Sequence, residues 1–165
     1  MKIVENVLSL DLLKLCREEL TNKLKTNEWI SNLLYWNPQL FQGVSGSTLT
    51  TYTSLDIKNA IKKEISYHVP ECDIITQYYV WQPNSGISLH DDNDYKFGAT
   101  IYLNEQWYPN AGGWFIWLNS KGKWNTLFPT KNLMVLNDID EEHLVTRVSS
   151  DTPHLRHSIQ IWGIK

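Results

Sequence analysis

The chain has 165 residues and a formal net charge of −3, which fits about one domain and excludes a strongly basic surface for nucleic acid or an anionic membrane. Its two cysteines are too few for a disulfide framework, so we expect a reducing, cytoplasmic compartment. Charged residues are scattered through the N-terminal segment, which predicts neither a signal peptide nor a membrane-spanning segment.

Apolar residues at helical spacing predict two helices in the N-terminal part of the chain. The first begins at Ser9 and is capped by Ser9 or Asp11, because both side chains accept hydrogen bonds from a first helical turn. The second begins at Ser54 and ends near Tyr67, before Pro70 prevents any continuation.

The rest of the chain has the residue pattern of a β protein. Residues 34–53, between the helices, predict a hairpin or a mobile loop. Beyond Pro70, short runs rich in β-branched and aromatic residues alternate with turn residues. This order predicts a mainly β, α+β chain, an antiparallel sandwich with helices on one side. We interpret 1–165 as a single domain, with supporting helices and a loop in 1–70 and the β core in 71–165.

One cluster of residue types indicates a metal site. Neighbours at i and i+2 in an extended chain share a face, so His90 and Asp92 can bind one ion while Asp91 points away. His143, which opens a later strand, can supply the third ligand of a 2-His-1-carboxylate site for non-heme iron. Taken singly, His90 and the acidic residues that follow it are explained as well by an exposed polar turn.

An arginine lies where such a site needs a cation. A 2-oxo acid that chelates iron requires a positive group at its far carboxylate, and arginine offers a planar fork of donors. Arg156 follows His143 by 13 residues, with Ser158 on the same strand face as a further candidate for binding the co-substrate. The alternative is that Arg156 is an ordinary surface residue of a strand.

The ordered motifs of the β region resemble the Fe(II)/2-oxoglutarate-dependent dioxygenases, and within them the prolyl 4-hydroxylase-like group. The matching runs, within residues 74–163, are GISLHDD, ATIYLNEQW, NAGGWFIW, NLMVLN, HLVTRV and RHSIQIW. The resemblance implies a double-stranded β-helix, a cupin-like jelly-roll of about eight strands buttressed by the two helices. It also implies that His90, Asp92 and His143 bind iron and that Arg156 holds the distal carboxylate of 2-oxoglutarate.

The same resemblance implies smaller roles for several other residues. Tyr102 matches a tyrosine whose hydroxyl meets that carboxylate. Tyr78 and Tyr79 both stand near the place of a further site tyrosine, and we favour Tyr79. Gly112 and Gly113 occupy the family's paired glycines, where small residues let strands or a ligand approach, although a hairpin turn would also explain them.

The implied activity is hydroxylation of an unactivated C–H bond with Fe(II), 2-oxoglutarate and O2, with release of succinate and CO2 and with ascorbate as a candidate reductant. A prolyl residue in a peptide or protein is the expected substrate, and a free amino acid or other small molecule is the alternative. Trp162 stands where related nucleic-acid demethylases carry a second arginine, which argues against a nucleic-acid substrate. The rival classes are a non-catalytic, Trp-rich β-sandwich binding module and a cupin-type enzyme with another metal.

Two predictions concern the substrate entrance. Binding residues concentrate on loops held by a rigid scaffold, so segments 34–53 and 105–111 are expected to shape it. Trp81, Trp107 and Trp114 are candidates for an aromatic peptide-binding groove, with core packing as the alternative for each of them.

Overall fold

The computed structural model of the protein describes residues 1–32, 46–137 and 140–165. Two α-helices lie within them, α1 (Leu10–Lys23) and α2 (Leu55–Ile65). The strands of the same residues are β1 (Lys2–Val4), β2 (Ile30–Asn32), β3 (Thr48–Tyr52), β4 (Ile74–Trp81), β5 (Ile87–His90), β6 (Phe97–Tyr102), β7 (Phe115–Leu118), β8 (Trp124–Leu127), β9 (Met134–Asn137), β10 (His143–Val145) and β11 (Arg156–Gly163).

Both helices begin where the sequence predicts. The hydroxyls of Ser9 and Ser54 each accept a hydrogen bond from the backbone N–H three residues on, which satisfies one orphan donor of each helix. The second helix ends at Ile65, slightly before the predicted Tyr67, because Tyr67 is 92% exposed and adds nothing to the buried face. Neither helix in the described ranges has the length and apolar character needed to cross a membrane.

The strands form two antiparallel sheets, as predicted. The larger sheet has the order β1-β9-β6-β11-β4-β3-β2, and the smaller has the order β5-β10-β7-β8. The run from β4 to β11 divides evenly between them, with β4, β6, β9 and β11 in the larger sheet and the other four in the smaller. This distribution confirms the predicted jelly-roll of about eight strands.

The strands β1, β2 and β3 widen the larger sheet beyond that jelly-roll. β1 and β2 were not predicted, since three residues carry too little alternation to be recognised. β3 occupies residues 48–52, so this part of segment 34–53 is sheet rather than loop. Residues 34–45 lie outside the described residues, and the predicted hairpin or loop there stays a prediction.

The larger sheet is buried on both faces at its centre, along β6 and β9, whereas the short edge strands β1 and β2 are mostly exposed. Its outer face packs on the helices, where Ile159 and Ile161 of β11 meet Ile61 and Ile65 of α2 in one apolar cluster. Each fully buried side chain of this kind contributes about 1.5 to 3 kcal/mol to folding. The alternate residues of β11 face the smaller sheet, and the helices buttress the larger sheet as predicted.

Candidate active site

Three side chains with metal-ligating atoms meet between the sheets. His90 ends β5 and His143 begins β10, and the two residues are direct cross-strand partners. Asp92 follows β5 closely, and the ligand atoms of all three residues lie within 4.8 Å of one another. His143 Nε2 lies 3.6 Å from Asp92 Oδ2, and both side chains are buried. The structure thus brings together the three residues that the sequence selects.

The outer nitrogens of both imidazoles are engaged by backbone. Nδ1 of His90 donates to the Ser88 carbonyl at 2.8 Å, and Nδ1 of His143 donates to the Glu141 carbonyl at 2.9 Å. A carbonyl can only accept, so these bonds place the hydrogen on Nδ1 and a lone pair on Nε2, the form that ligates a metal. Burial, followed by the charge of His143, lowers the pKa of His90 to about 4 and keeps it neutral.

Two residues that sequence reasoning missed shape this cluster. Asn137, at the end of β9, donates from Nδ2 to Asp92 Oδ2 at 2.8 Å, and the same nitrogen lies 3.0 Å from His143 Nε2. Gly98 lies against the carboxylate, since a Cβ at this position would stand 1.9 Å from Asp92 Oδ2. Asn137 ends the quoted run NLMVLN and Gly98 directly precedes the quoted run ATIYLNEQW, but their role depends on contacts with Asp92, in the turn after β5, that no local pattern shows.

The second feature of the site is a fully buried arginine. Arg156, which begins β11, is 0% exposed, and its guanidinium carbon lies 4.7 Å from the Trp81 ring centroid and 5.1 Å from that of Tyr102. Neither its three nitrogens nor the Tyr102 hydroxyl has a hydrogen-bond partner within the part of the chain that the structure describes. Burial lowers the pKa of Arg156 to about 10 and raises that of Tyr102 to about 12, so the arginine stays charged at neutral pH.

Gly113 makes room for this arginine. Its φ of +67° is in the region that favours glycine, and a Cβ there would lie 2.7 Å from Arg156 Cδ. The paired glycines are therefore not a simple hairpin turn, because Gly112 forms an isolated bridge with Val148 and Gly113 lies against the arginine side chain.

One cavity of about 630 Å³ joins the triad and the arginine. Asp91 contributes to its lining instead of pointing away, because β5 ends at His90 and the alternation of an extended strand stops there. The other residues of the wall are Tyr79, Trp81, Ile87, Leu89, His90, Asp92, Asp94, Tyr95, Thr100, Phe115, Glu142, His143, Val145, Arg156, Gln160 and Trp162.

The neighbouring tyrosines of β4 face opposite sides of the larger sheet. Tyr79 lines the cavity, whereas Tyr78 is buried in the cluster under the helices. Ser158 is not part of the cavity wall. Its hydroxyl accepts a hydrogen bond from Trp81 Nε1 at 3.0 Å, which fixes the ring that covers Arg156.

The predicted tryptophan groove and one predicted entrance segment are wrong. Trp81 lines the cavity, but Trp107 and Trp114 do not, and their indole N–H groups donate to backbone carbonyls elsewhere. Segment 105–111 follows the end of β6 at Tyr102, whereas the triad lies beside Gly98, near the beginning of the same strand. None of its residues lines the cavity, because successive antiparallel strands are joined at opposite ends of the sandwich.

Comparison with solved structures places this arrangement in a known fold. A prolyl 4-hydroxylase from Pseudomonas putida aligns over 99% of this chain and 92% of that chain, with a TM-score of 0.72 and 17% identity. A prolyl hydroxylase from Trichoplax adhaerens, in complex with a hypoxia inducible factor peptide fragment, aligns over 99% and 82%, with a TM-score of 0.72 and 15% identity. The chain has the double-stranded β-helix fold of the 2OG-Fe(II) oxygenases.

This double-stranded β-helix also occurs in proteins with other reactions. The alpha-ketoglutarate-dependent epimerase SnoN from nogalamycin biosynthesis aligns over 98% of this chain and 76% of that chain, with a TM-score of 0.67 and 11% identity. No protein-family model matches the sequence, and no curated protein sequence gives a significant match. The fold alone therefore leaves the substrate open.

Proposed function

We propose that this protein is an Fe(II)- and 2-oxoglutarate-dependent dioxygenase. The observation that carries the proposal is the presence, in one cavity, of a buried His-Asp-His cluster and a buried arginine whose guanidinium nitrogens have no hydrogen-bond partner among the described residues. Two imidazoles and one carboxylate are the donor set of non-heme iron sites with open positions for other ligands. An unpaired buried cation costs several kcal/mol, so a cavity that keeps one is suited to an anionic ligand.

The residues of the cluster fit an iron ion. His90, Asp92 and His143 would hold it, and bound iron with 2-oxoglutarate and O2 would supply the oxidising power that hydroxylates a C–H bond, with release of succinate and CO2. The backbone carbonyls that accept from both Nδ1 atoms hold the two rings with Nε2 directed at the site. Asn137 fixes the carboxylate through its hydrogen bond to Oδ2.

Arg156 would hold the far carboxylate of 2-oxoglutarate. Three guanidinium nitrogens and the Tyr102 hydroxyl have no acceptor among the described residues, so an incoming carboxylate would satisfy donors that are otherwise buried and unpaired. The rings of Trp81 and Tyr102 hold the guanidinium in place before the ligand binds, which reduces the ordering cost of binding.

The finer part of the proposal is the substrate, a prolyl residue in a peptide or protein. It is supported by the likeness to the Pseudomonas putida prolyl 4-hydroxylase and to the Trichoplax adhaerens enzyme, whose structure holds a peptide. The likeness to an epimerase supports keeping free amino acids and other small molecules as the second candidate, since the same fold serves different substrates.

An anaerobic titration tests the co-substrate and the metal together. We expect a weak visible absorption band that requires both Fe(II) and 2-oxoglutarate, because both must occupy one site. The band should be lost in Arg156→Ala at co-substrate levels that saturate the wild type, and kept in Arg147→Ala, which changes an exposed arginine. A binding module without catalysis, or a cupin-type enzyme with another metal, would give no such band.

Mass spectrometry tests the substrate. The protein is incubated in air with Fe(II), 2-oxoglutarate, ascorbate and either proline-containing peptides or free amino acids. We expect a gain of one oxygen atom on the prolyl residue of a peptide. A product formed only from free amino acids would contradict the peptide proposal and leave the oxygenase proposal standing.

A further inference from the structure

The cavity mouth is lined by carboxylates. Asp91, Asp94 and Glu142 are exposed residues of the cavity wall, and among the described residues none of them forms an ion pair with a lysine or arginine. The amine of Lys165 donates instead to the backbone carbonyl of Asn93. The mouth therefore presents negative potential to a molecule that enters.

Aromatic rings stand beside these carboxylates. The rings of Tyr95 and Trp162 have centroids 5.6 Å apart and lie 31° from parallel, and Trp162 lies 6.0 Å from Tyr79. All three residues line the cavity, and Tyr95 follows Asp94 directly in the chain. The faces of tryptophan and tyrosine attract ammonium and guanidinium groups, so the rings and the carboxylates favour the same kind of ligand.

The deep end of the cavity has the opposite charge. Arg156 is the single lysine or arginine among the described residues of the wall. It is fully buried and its nitrogens have no hydrogen-bond partner among the described residues, which independently marks the cavity as a ligand site. The proposed function assigns this end of the cavity to 2-oxoglutarate, which is a dianion. Whatever occupies the mouth is separated from Arg156 and faces carboxylates and aromatic rings.

We infer that this mouth selects substrates that carry a positive charge near the reacting carbon, an ammonium or guanidinium group such as that of a lysine or arginine beside the target residue. The inference deepens the proposed function and rests on it for the identity of the reaction, but the charge preference is a property of binding. An anionic substrate would be repelled by the same carboxylates.

Binding of matched peptides tests the inference without turnover. The protein, loaded with Mn(II) and 2-oxoglutarate, is titrated with three blocked peptides that differ only at the two residues flanking a central proline. These two residues are both lysine, both glutamine or both glutamate. Free L-lysine and L-glutamine test a small-molecule source of the same charge. We expect the lysine peptide to bind about tenfold more tightly than the glutamate peptide at low salt. Added salt should reduce this ratio because the charges at the mouth are exposed.

Isosteric variants locate the effect. The double variant Asp94→Asn, Glu142→Gln should bring the affinities of the three peptides close together, whereas Glu5→Gln, which changes an exposed carboxylate between β1 and α1, should leave their ratio unchanged. Equal affinities in the wild type, tighter binding of the glutamate peptide, or no binding of any probe would overturn the inference. If free lysine binds and the lysine peptide does not, the charge selection is supported and a peptide substrate is contradicted.

The absorption titration separates the two levels of the proposal. A lysine preference in a protein that gives no band with Fe(II) and 2-oxoglutarate would overturn the oxygenase proposal and support a cation-binding mouth. A normal absorption band together with equal affinities for the three peptides would support the oxygenase proposal and overturn the inferred charge selection.

Discussion

Asn137, the last residue of β9, donates a hydrogen bond to Asp92 in the turn after β5, from Nδ2 to Oδ2 at 2.8 Å, with both residues buried. A hydrogen bond to a charged acceptor is among the stronger ones, and this acceptor belongs to the proposed metal-binding cluster. The contact makes Asn137 a positioning residue, because it holds the carboxylate without being one of the three proposed ligands.

Asn137→Ala should therefore weaken metal binding by about 10- to 100-fold, the usual effect of removing a hydrogen bond to a metal ligand. Anaerobic calorimetry with Fe(II) measures the change. Asn125→Ala, which alters an amide bonded to the Lys123 carbonyl in the region of β8, should leave the metal affinity at the wild-type value. An unchanged affinity in Asn137→Ala would show that the contact has only a structural role.

Removal of any of the three proposed ligands should abolish tight iron binding. His90→Ala, Asp92→Ala and His143→Ala each leave two donors, too few to hold Fe(II) against water. The same calorimetry checks the result, with His154→Ala as control because that histidine is exposed. Full metal affinity in His143→Ala would contradict the proposed ligand set.

Gly98→Ala should lower the metal affinity, although the substitution adds only one methyl group. The added methyl group would lie 1.9 Å from Asp92 Oδ2, so the carboxylate must move, and overpacking of this kind costs about 1 to 3 kcal/mol of stability. Gly122→Ala is the control: its φ of +71° disfavours alanine and so lowers stability, but no heavy atom lies within 4 Å of the added Cβ. We expect both variants to lower the unfolding midpoint and only Gly98→Ala to lower the metal affinity.

Arg156→Met should have opposite effects on stability and on co-substrate binding. It removes a buried cation whose nitrogens have no hydrogen-bond partner among the described residues, so the free energy of unfolding of the ligand-free protein should rise by about 1 to 4 kcal/mol. Loss of the charged donor should weaken 2-oxoglutarate binding by about ten- to a few-hundred-fold, equivalent to about 1.5 to 3 kcal/mol. Tyr102→Phe, which loses one hydroxyl, should weaken it less.

Urea unfolding and anaerobic co-substrate titration measure these two quantities for Arg156→Met. Wild-type affinity for 2-oxoglutarate in this variant would remove Arg156 from the binding site. A large decrease in the free energy of unfolding of Arg156→Met, instead of an increase, would mean that Arg156 stabilises the folded protein.

His157 should make the protein less stable in mild acid. Burial, followed by the charge of Arg17, lowers the pKa of His157 to about 4, so the folded state keeps this imidazole neutral. The unfolded chain takes up the proton near pH 6.5, so stability falls as the pH decreases from about 6.5 to about 4, by roughly 2 to 3 kcal/mol from this residue. The difference between wild type and His157→Gln in urea unfolding across this range isolates the contribution, with His154→Gln, which changes an exposed histidine, measured beside it.

The sequence alone determined the local elements and the order of the chemical motifs. Helix starts at Ser9 and Ser54 follow from capping side chains and apolar spacing within about one turn, and the structure has them there. The sequence identifies His90, Asp92, His143 and Arg156 because the order and spacing of the motifs can be read directly from it. In the structure, the ligand atoms of the first three residues lie within 4.8 Å of one another.

What only the tertiary structure decided is which residues from distant parts of the chain meet. Strand register sets the face and the partner of a residue, so Tyr79 faces the cavity and Tyr78 the helices, and Gly98 lies beside Asn137. Both Gly98 and Asn137 contact Asp92, which lies in the turn after β5. Segment 105–111 was misplaced for the same reason. A local pattern shows that a loop exists but not at which end of the sandwich it lies, since that end is fixed by long-range antiparallel pairing.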